Sequence, residues 1–146
     1  MRLGHVHLKV SDVERSEAFY RDIVGLDVTE RVSDHFVFLT LGDAHHDLAL
    51  QGHPGAPRPS TEALGLYHVA FEVPDEATLG EMVSRLEERG LDFTGIDHGI
   101  SKSVYVVDPD GHGVEIYCDT RAGGRREWEG ASAPLDLDAL RQPPGA

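Results

Sequence analysis

A repeat organises this sequence. The stretch Gly4-His5-Val6-His7-Leu8-Lys9-Val10-Ser11-Asp12 returns as Tyr67-His68-Val69-Ala70-Phe71-Glu72-Val73-Pro74-Asp75, so that His5 matches His68 and Asp12 matches Asp75, 63 positions apart in both cases. Gly25 and Gly90, each placed to stop a helix, are 65 apart. Each copy opens with an alternating strand that runs into a helix start. The fold expected is therefore α+β, built from two tandem βαβββ modules. These would form a cup-shaped, partly closed mixed sheet with the helices outside.

The first helix is predicted over Val13 to Val24, with Ser11-Asp12-Val13-Glu14 as a capping box and Phe19, Tyr20 and Ile23 on one face. The second is predicted over Glu76 to Arg89, with Leu79, Met82, Val83 and Leu86 as its apolar stripe. Short strands are expected at 27–31, 36–41 and 47–50 in the first half and at 92–94, 103–107 and 113–117 in the second. Asp108-Pro109-Asp110-Gly111 is a turn signal between the last two. One domain is expected over residues 1–119, with module one at about 3–51, a Pro- and Gly-rich linker at 52–64 and module two at about 65–119. Residues 120–146 read as a tail: Gly123-Gly124-Arg125-Arg126 is loop-like, Trp128 and Leu135 to Leu140 could pack back on the domain or on a partner, and Gln142 to Ala146 looks frayed.

Strand side chains alternate between faces. Val6, Leu8 and Val10 suit the helix side of the first strand, which sends His5, His7 and Lys9 to the other. The same logic puts His68, Ala70 and Glu72, then Tyr105, and then Gly113, Glu115 and Tyr117 on the side away from the helices. A strand histidine taken singly is more often a hydrogen-bonded polar residue than a ligand. Here two occupy repeat-equivalent positions and a carboxylate shares their face. His5, His68 and Glu115 are therefore expected to hold a divalent metal: two imidazoles and one carboxylate leave coordination positions open and suit Fe(II), with Mn(II) as the other candidate. His7 reads as a pocket residue. Phe36, Phe38 and Tyr117 are candidate pocket walls.

The formal charge of −13 disfavours nucleic acid and anionic membranes as partners. The lone Cys118 permits no internal disulfide, no secretory leader is evident, and no apolar run approaches a membrane span. A cytoplasmic location is expected.

With these residues in view, the sequence from about Leu3 to Asp119 resembles the vicinal oxygen chelate superfamily, which includes glyoxalase I, bleomycin- and fosfomycin-resistance proteins and extradiol dioxygenases. Residues 97–117, with Tyr105, the Asp108-Pro109-Asp110-Gly111 turn and Glu115, are similar to the end of small catechol 2,3-dioxygenase-like proteins, as are Arg126-Glu127-Trp128 and Pro134 to Asp138 in the tail. The resemblance implies that His5, His68 and Glu115 are the metal ligands. It further implies that Tyr105 hydrogen-bonds a substrate oxygen and that His46, in His45-His46-Asp47-Leu48-Ala49-Leu50, is the acid–base catalyst. His98 is implied as a further active-site histidine. His45 and His112 read as a strand neighbour and a turn residue. The repeat equivalent of Glu115 in the first half falls near Leu48, an apolar residue, which argues against the four-ligand set of glyoxalase I.

The activity implied is extradiol cleavage of a catechol-like aromatic diol by O₂, with Fe(II) as the expected metal and Mn(II), Zn(II) or Ni(II) as alternatives. One rival is a glyoxalase-type metal-dependent isomerase or lyase. The other is a metal-free protein that sequesters a drug, although a binding pocket has no need of a charged triad. The same resemblance implies a homodimer as a possible assembly.

Overall fold

The computed structural model describes residues 1–58, 60, 62–121 and 127–141. Pro59 and Thr61 of the expected linker, the 123–126 loop with Arg126 of the tail signature, and the 142–146 end lie outside the described residues. The chain forms two compact units: Met1–Tyr67 together with Asp108–His112, and the described residues of His68–Val107 and Gly113–Ala146. The secondary structure is two mixed sheets with helices, an α+β arrangement. No helix among the described residues is long and apolar enough to cross a membrane.

In the first unit, β1 (Val6–Val10), β2 (Asp27–Val32), β3 (Phe36–Thr40) and β4 (Leu48–Gly52) form a sheet in the order β1-β4-β3-β2. β1 runs parallel to β4 and the other pairs are antiparallel. The alternation in β1 is as the sequence predicts: Leu8 and Val10 are buried while His7 and Lys9 are exposed. Helix α1 (Val13–Phe19) buries Val13, Ser16, Glu17 and Phe19. The predicted helix continues as a π-helical turn, Tyr20–Val24, in which the Gly25 N–H reaches the Tyr20 carbonyl five residues back. Gly25 ends it at φ 90°, a left-handed conformation that glycine adopts without steric cost.

The expected capping box does not form. Asp12 is the N-cap, accepting from the Arg15 N–H, while the Ser11 hydroxyl and N–H both donate to Asp110, at 2.6 and 2.8 Å. A long-range carboxylate has taken the residue that a local box would have used. Asp110 belongs to the 108–112 turn, whose Asp108 side chain is fully buried. There Asp108 accepts from the buried Tyr20 hydroxyl at 3.0 Å.

In the second unit, β5 (Val69–Val73), β6 (Thr94–Asp97), β7 (Ser101–Val107), β8 (Gly113–Asp119) and a short β9 (Ala133–Pro134) lie in the order β5-β8-β7-β6-β9, with β5 parallel to β8. Helix α2 (Glu76–Glu88) is capped by Asp75 and buries Leu79, Met82, Val83 and Leu86, the predicted stripe. Burying each such side chain contributes roughly 1.5–3 kcal/mol. β6 starts two residues later than the predicted 92–94 strand. Gly95, a poor strand former by propensity, is used because Leu135 passes over it: a side chain there would meet Leu135 Cβ at 3.0 Å. Leu135 and Leu140 of the tail are buried in this unit, and the short α3 (Leu137–Leu140) follows β9.

Candidate active site

The register corrects the equivalence assigned to Leu48. His7 faces Ala49 across β1 and β4, and Ala70 faces Glu115 across β5 and β8. The 63-residue repeat makes His7 and Ala70 equivalent, so Ala49 is the first-half counterpart of Glu115. Leu48 points into the core and is fully buried. A methyl group offers no ligand either, so the argument against a fourth carboxylate ligand survives the one-residue slip.

In the second unit, β5, β7 and β8 bring three of the predicted site residues together. His68 immediately precedes β5, and its Nε2 lies 2.9 Å from Glu115 Oε2. The other oxygen, Oε1, accepts from the Tyr105 hydroxyl at 2.8 Å. Tyr105 stands directly opposite Glu115 in the β7–β8 ladder. His98, from the loop after β6, places Nε2 2.9 Å from the same Tyr105 hydroxyl oxygen, and its Nδ1 is 2.8 Å from Ser132 Oγ. Donor and acceptor roles then follow from the network. The single Tyr105 hydroxyl hydrogen goes to the carboxylate, so Tyr105 accepts from His98 Nε2–H. His98 Nδ1 accepts in turn from the Ser132 hydroxyl. The Trp128 ring packs edge-on to His98, with centroids 6.3 Å apart. Ser132 carried no recognisable signal in the sequence, since a tail serine has no motif, and only the pairing of β9 with β6 brings it there.

In the first unit, His5 and His46 are ring neighbours, with centroids 4.4 Å apart. His45 bridges Glu30 and His46: its Nε2 is 3.1 Å from Glu30 Oε2, and its Nδ1 is 2.8 Å from His46 Nδ1. The carboxylate can only accept, so the neutral tautomer of His45 has its hydrogen on Nε2. It then accepts from His46 Nδ1–H, which leaves the His46 Nε2 lone pair unshared with His45. Partial burial, with His5 and His45 close by, holds the His46 imidazole below its ordinary range. A β-bulge around Thr29 aids this placement, since the Thr29 hydroxyl donates to the His45 carbonyl at 2.7 Å. Phe38 lies beside His45 and His46 and parallel to Phe36, both half-buried, with the two phenylalanine centroids 6.4 Å apart.

Within each unit, among the described residues, no three His, Cys, Asp or Glu side chains form a ready-made ion cage. The His68–Glu115 pair nevertheless suits a divalent ion. Two donors that share an ion at about 2.1 Å and a right angle stand about 3 Å apart, and this pair is separated by 2.9 Å.

A family model described as the Glyoxalase/Bleomycin resistance protein/Dioxygenase superfamily matches residues 2–116. Catechol-2,3-dioxygenase of Bacillus subtilis (strain 168) is 33% identical over 149 residues, covering 98% of this chain and 52% of that protein. The chain thus spans about half the length of that relative. Glutathione transferase FosA of Serratia marcescens is 32% identical over 124 residues, 82% of each chain. The crystal structure of a glyoxalase/dioxygenase from Nostoc punctiforme superposes with a TM-score of 0.69 at 27% identity, covering 82% of this chain and 92% of that one.

Proposed function

The chain belongs to the glyoxalase/bleomycin resistance protein/dioxygenase superfamily, and from that premise we propose that it is a metal-dependent extradiol-type dioxygenase acting on a catechol-like substrate with vicinal oxygens. The observation that carries the reading is the convergence of His68 and Tyr105 on the two oxygens of Glu115. His5, His68 and Glu115 are the ligands proposed, and Fe(II) or Mn(II) the ions their chemistry suits. A divalent ion held there would supply Lewis acidity to a chelating substrate.

The protein's own groups then have defined tasks. Tyr105 orients Glu115 through its one hydroxyl hydrogen, and a substrate oxygen that displaces Glu115 Oε1 as acceptor would receive that same hydrogen. His98 donates to the Tyr105 oxygen and so fixes the direction of its hydrogen bond. His46 takes up and returns a substrate proton at Nε2, a role matched by an imidazole that stays neutral near pH 7. Phe36, Phe38 and Tyr117 supply aromatic walls for a ring substrate.

A relative of matching length, a glutathione transferase, supports a second reading, that the same residues serve chemistry of another class, an isomerase or lyase among the candidates. Metal analysis after anaerobic Fe(II) reconstitution, followed by a catechol panel, separates the readings. Ring-cleavage colour with oxygen uptake is the expected result. Stoichiometric Zn or Ni with no oxygen uptake supports the second reading, and failure to retain any metal removes both. His46→Ala is expected to keep the metal and lose most turnover.

A further inference from the structure

In the first unit a cavity of about 400 Å³ opens along the outer edge of β1, an end strand of its sheet. That volume lies within the range that small-molecule sites occupy. It begins at His7 and reaches Ser11, at the far end of the strand from His5. Ser11 is six residues from His5, about 20 Å at the rise of a strand.

The walls divide into two chemistries. Ala56, Pro57 and Leu66 give an apolar side, and the buried Leu8 and Val10 border it only along the strand edge. Lys9, Arg58, His53 and His112 give a basic one. The basic side stands out in a chain with 26 acidic residues against 13 lysines and arginines. Among the described residues neither Lys9 nor Arg58 has a carboxylate partner. Arg58 spends one N–H on the Pro109 carbonyl, at 2.6 Å, which steadies the guanidinium and leaves further donors. The one acid in the lining, Asp110, is already committed to Ser11 and Arg15. The His53 Nε2 is buried and has no hydrogen-bond partner among the described residues. A buried imidazole nitrogen without a partner is uncommon in folded proteins. His112 holds Asp108 through Nδ1, so the opposite, Nε2 edge is the one it can present to the cavity. That Asp108 hydrogen bond also favours the protonated imidazolium.

We propose that this cavity binds a small organic carboxylate, its anionic head held by Lys9 and Arg58 and its apolar body against Pro57 and Leu66. Arginine's planar fork matches a carboxylate in two-point contact. The apolar walls favour an organic acid over a bare inorganic anion, and the volume suits a single ring. The site would be independent of any metal, because none of its residues is a proposed ligand.

The test is a titration of benzoate, and separately of its neutral analogue benzamide, into ¹⁵N-labelled full-length protein, both as purified and after stripping with EDTA. Benzoate is expected to shift resonances of Lys9–Ser11, His53, Arg58 and His112, with a Kd of about 1 mM or tighter, and benzamide to bind at least about tenfold more weakly. Lys9→Gln combined with Arg58→Gln is expected to weaken benzoate at least about tenfold while leaving the melting temperature unchanged. Lys9→Arg should retain binding. Equal affinity for the two probes, shifts confined to other residues, or binding that disappears with EDTA would each overturn the proposal.

Discussion

Tyr20 and Asp108, 88 positions apart in the chain, meet through a 3.0 Å hydrogen bond in which the buried phenol donates to a carboxylate with no solvent exposure. Burial and the Asp108 charge push the Tyr20 hydroxyl well above its ordinary range, so it is a donor at every working pH. The same carboxylate oxygen meets His112 Nδ1 at 2.8 Å, and the other accepts the Asp110 and His112 backbone N–H groups. Removing the phenol oxygen by Tyr20→Phe should cost about 1–3 kcal/mol. Urea unfolding would read this as a lower midpoint at unchanged slope, and an unchanged midpoint would show the bond to be dispensable.

The Asp108 hydrogen bond raises the His112 imidazole above its ordinary range, against the opposing effect of burial. The sign of the linkage follows. A folded-state value above the unfolded one stabilises the fold fully below the unfolded value, about 6.5, and the contribution fades as pH rises through the raised folded value. Thermal melts should therefore show part of the stability lost as pH rises above about 6.5. His112→Gln should flatten that loss, and an identical pH profile in the variant would refute the assignment.

At the candidate site, Tyr105→Phe deletes the hydrogen bond to Glu115 Oε1 without removing a proposed ligand. Metal affinity is expected to fall by about 10–100-fold, the usual consequence of losing a group that orients a ligand. Competitive chelator titration measures it. Glu115→Ala, by contrast, should abolish stoichiometric retention of the metal.

Ser132→Ala tests the hydrogen-bond direction assigned to His98. In the parent protein ¹⁵N imidazole shifts should report a single tautomer with its hydrogen on Nε2. The variant is expected to populate the other tautomer as well, and Ser132→Thr should restore the first. A ring already mixed in the parent would contradict the assigned direction.

Much of this was readable beforehand because it rests on short-range periodicity. The alternation of β1, the stripe of α2 and the stops at Gly25 and Gly90 need only local patterns, and each is found in place. What escaped was set by partners distant in sequence. Ser11 left its expected box for Asp110, and the turn at Tyr20 became π-helical where its side chain is tied to Asp108. β6 shifted to Gly95 because the tail needs a residue without a side chain there. The slip from Leu48 to Ala49 has another origin: strand register is fixed by hydrogen-bond pairing, and counting from one end cannot fix it. In the site, His68, Tyr105, Glu115 and His98 were all picked out, and the second unit links them. Ser132, and His45 as a bridge to Glu30, had no signature of their own.

Gly80 carries the last consequence. A side chain there would place its Cβ 2.6 Å from the Leu140 carbonyl oxygen, so the end of the tail is seated on a gap in α2. Eight residues earlier the same segment delivers Ser132 to His98. A shortened chain ending at Asp119 would retain every proposed ligand yet forfeit the hydroxyl that sets the ring's protonation. Trimming this protein to its repeats would leave His98 without the hydroxyl that orients its ring, a change made from 34 residues away in the chain.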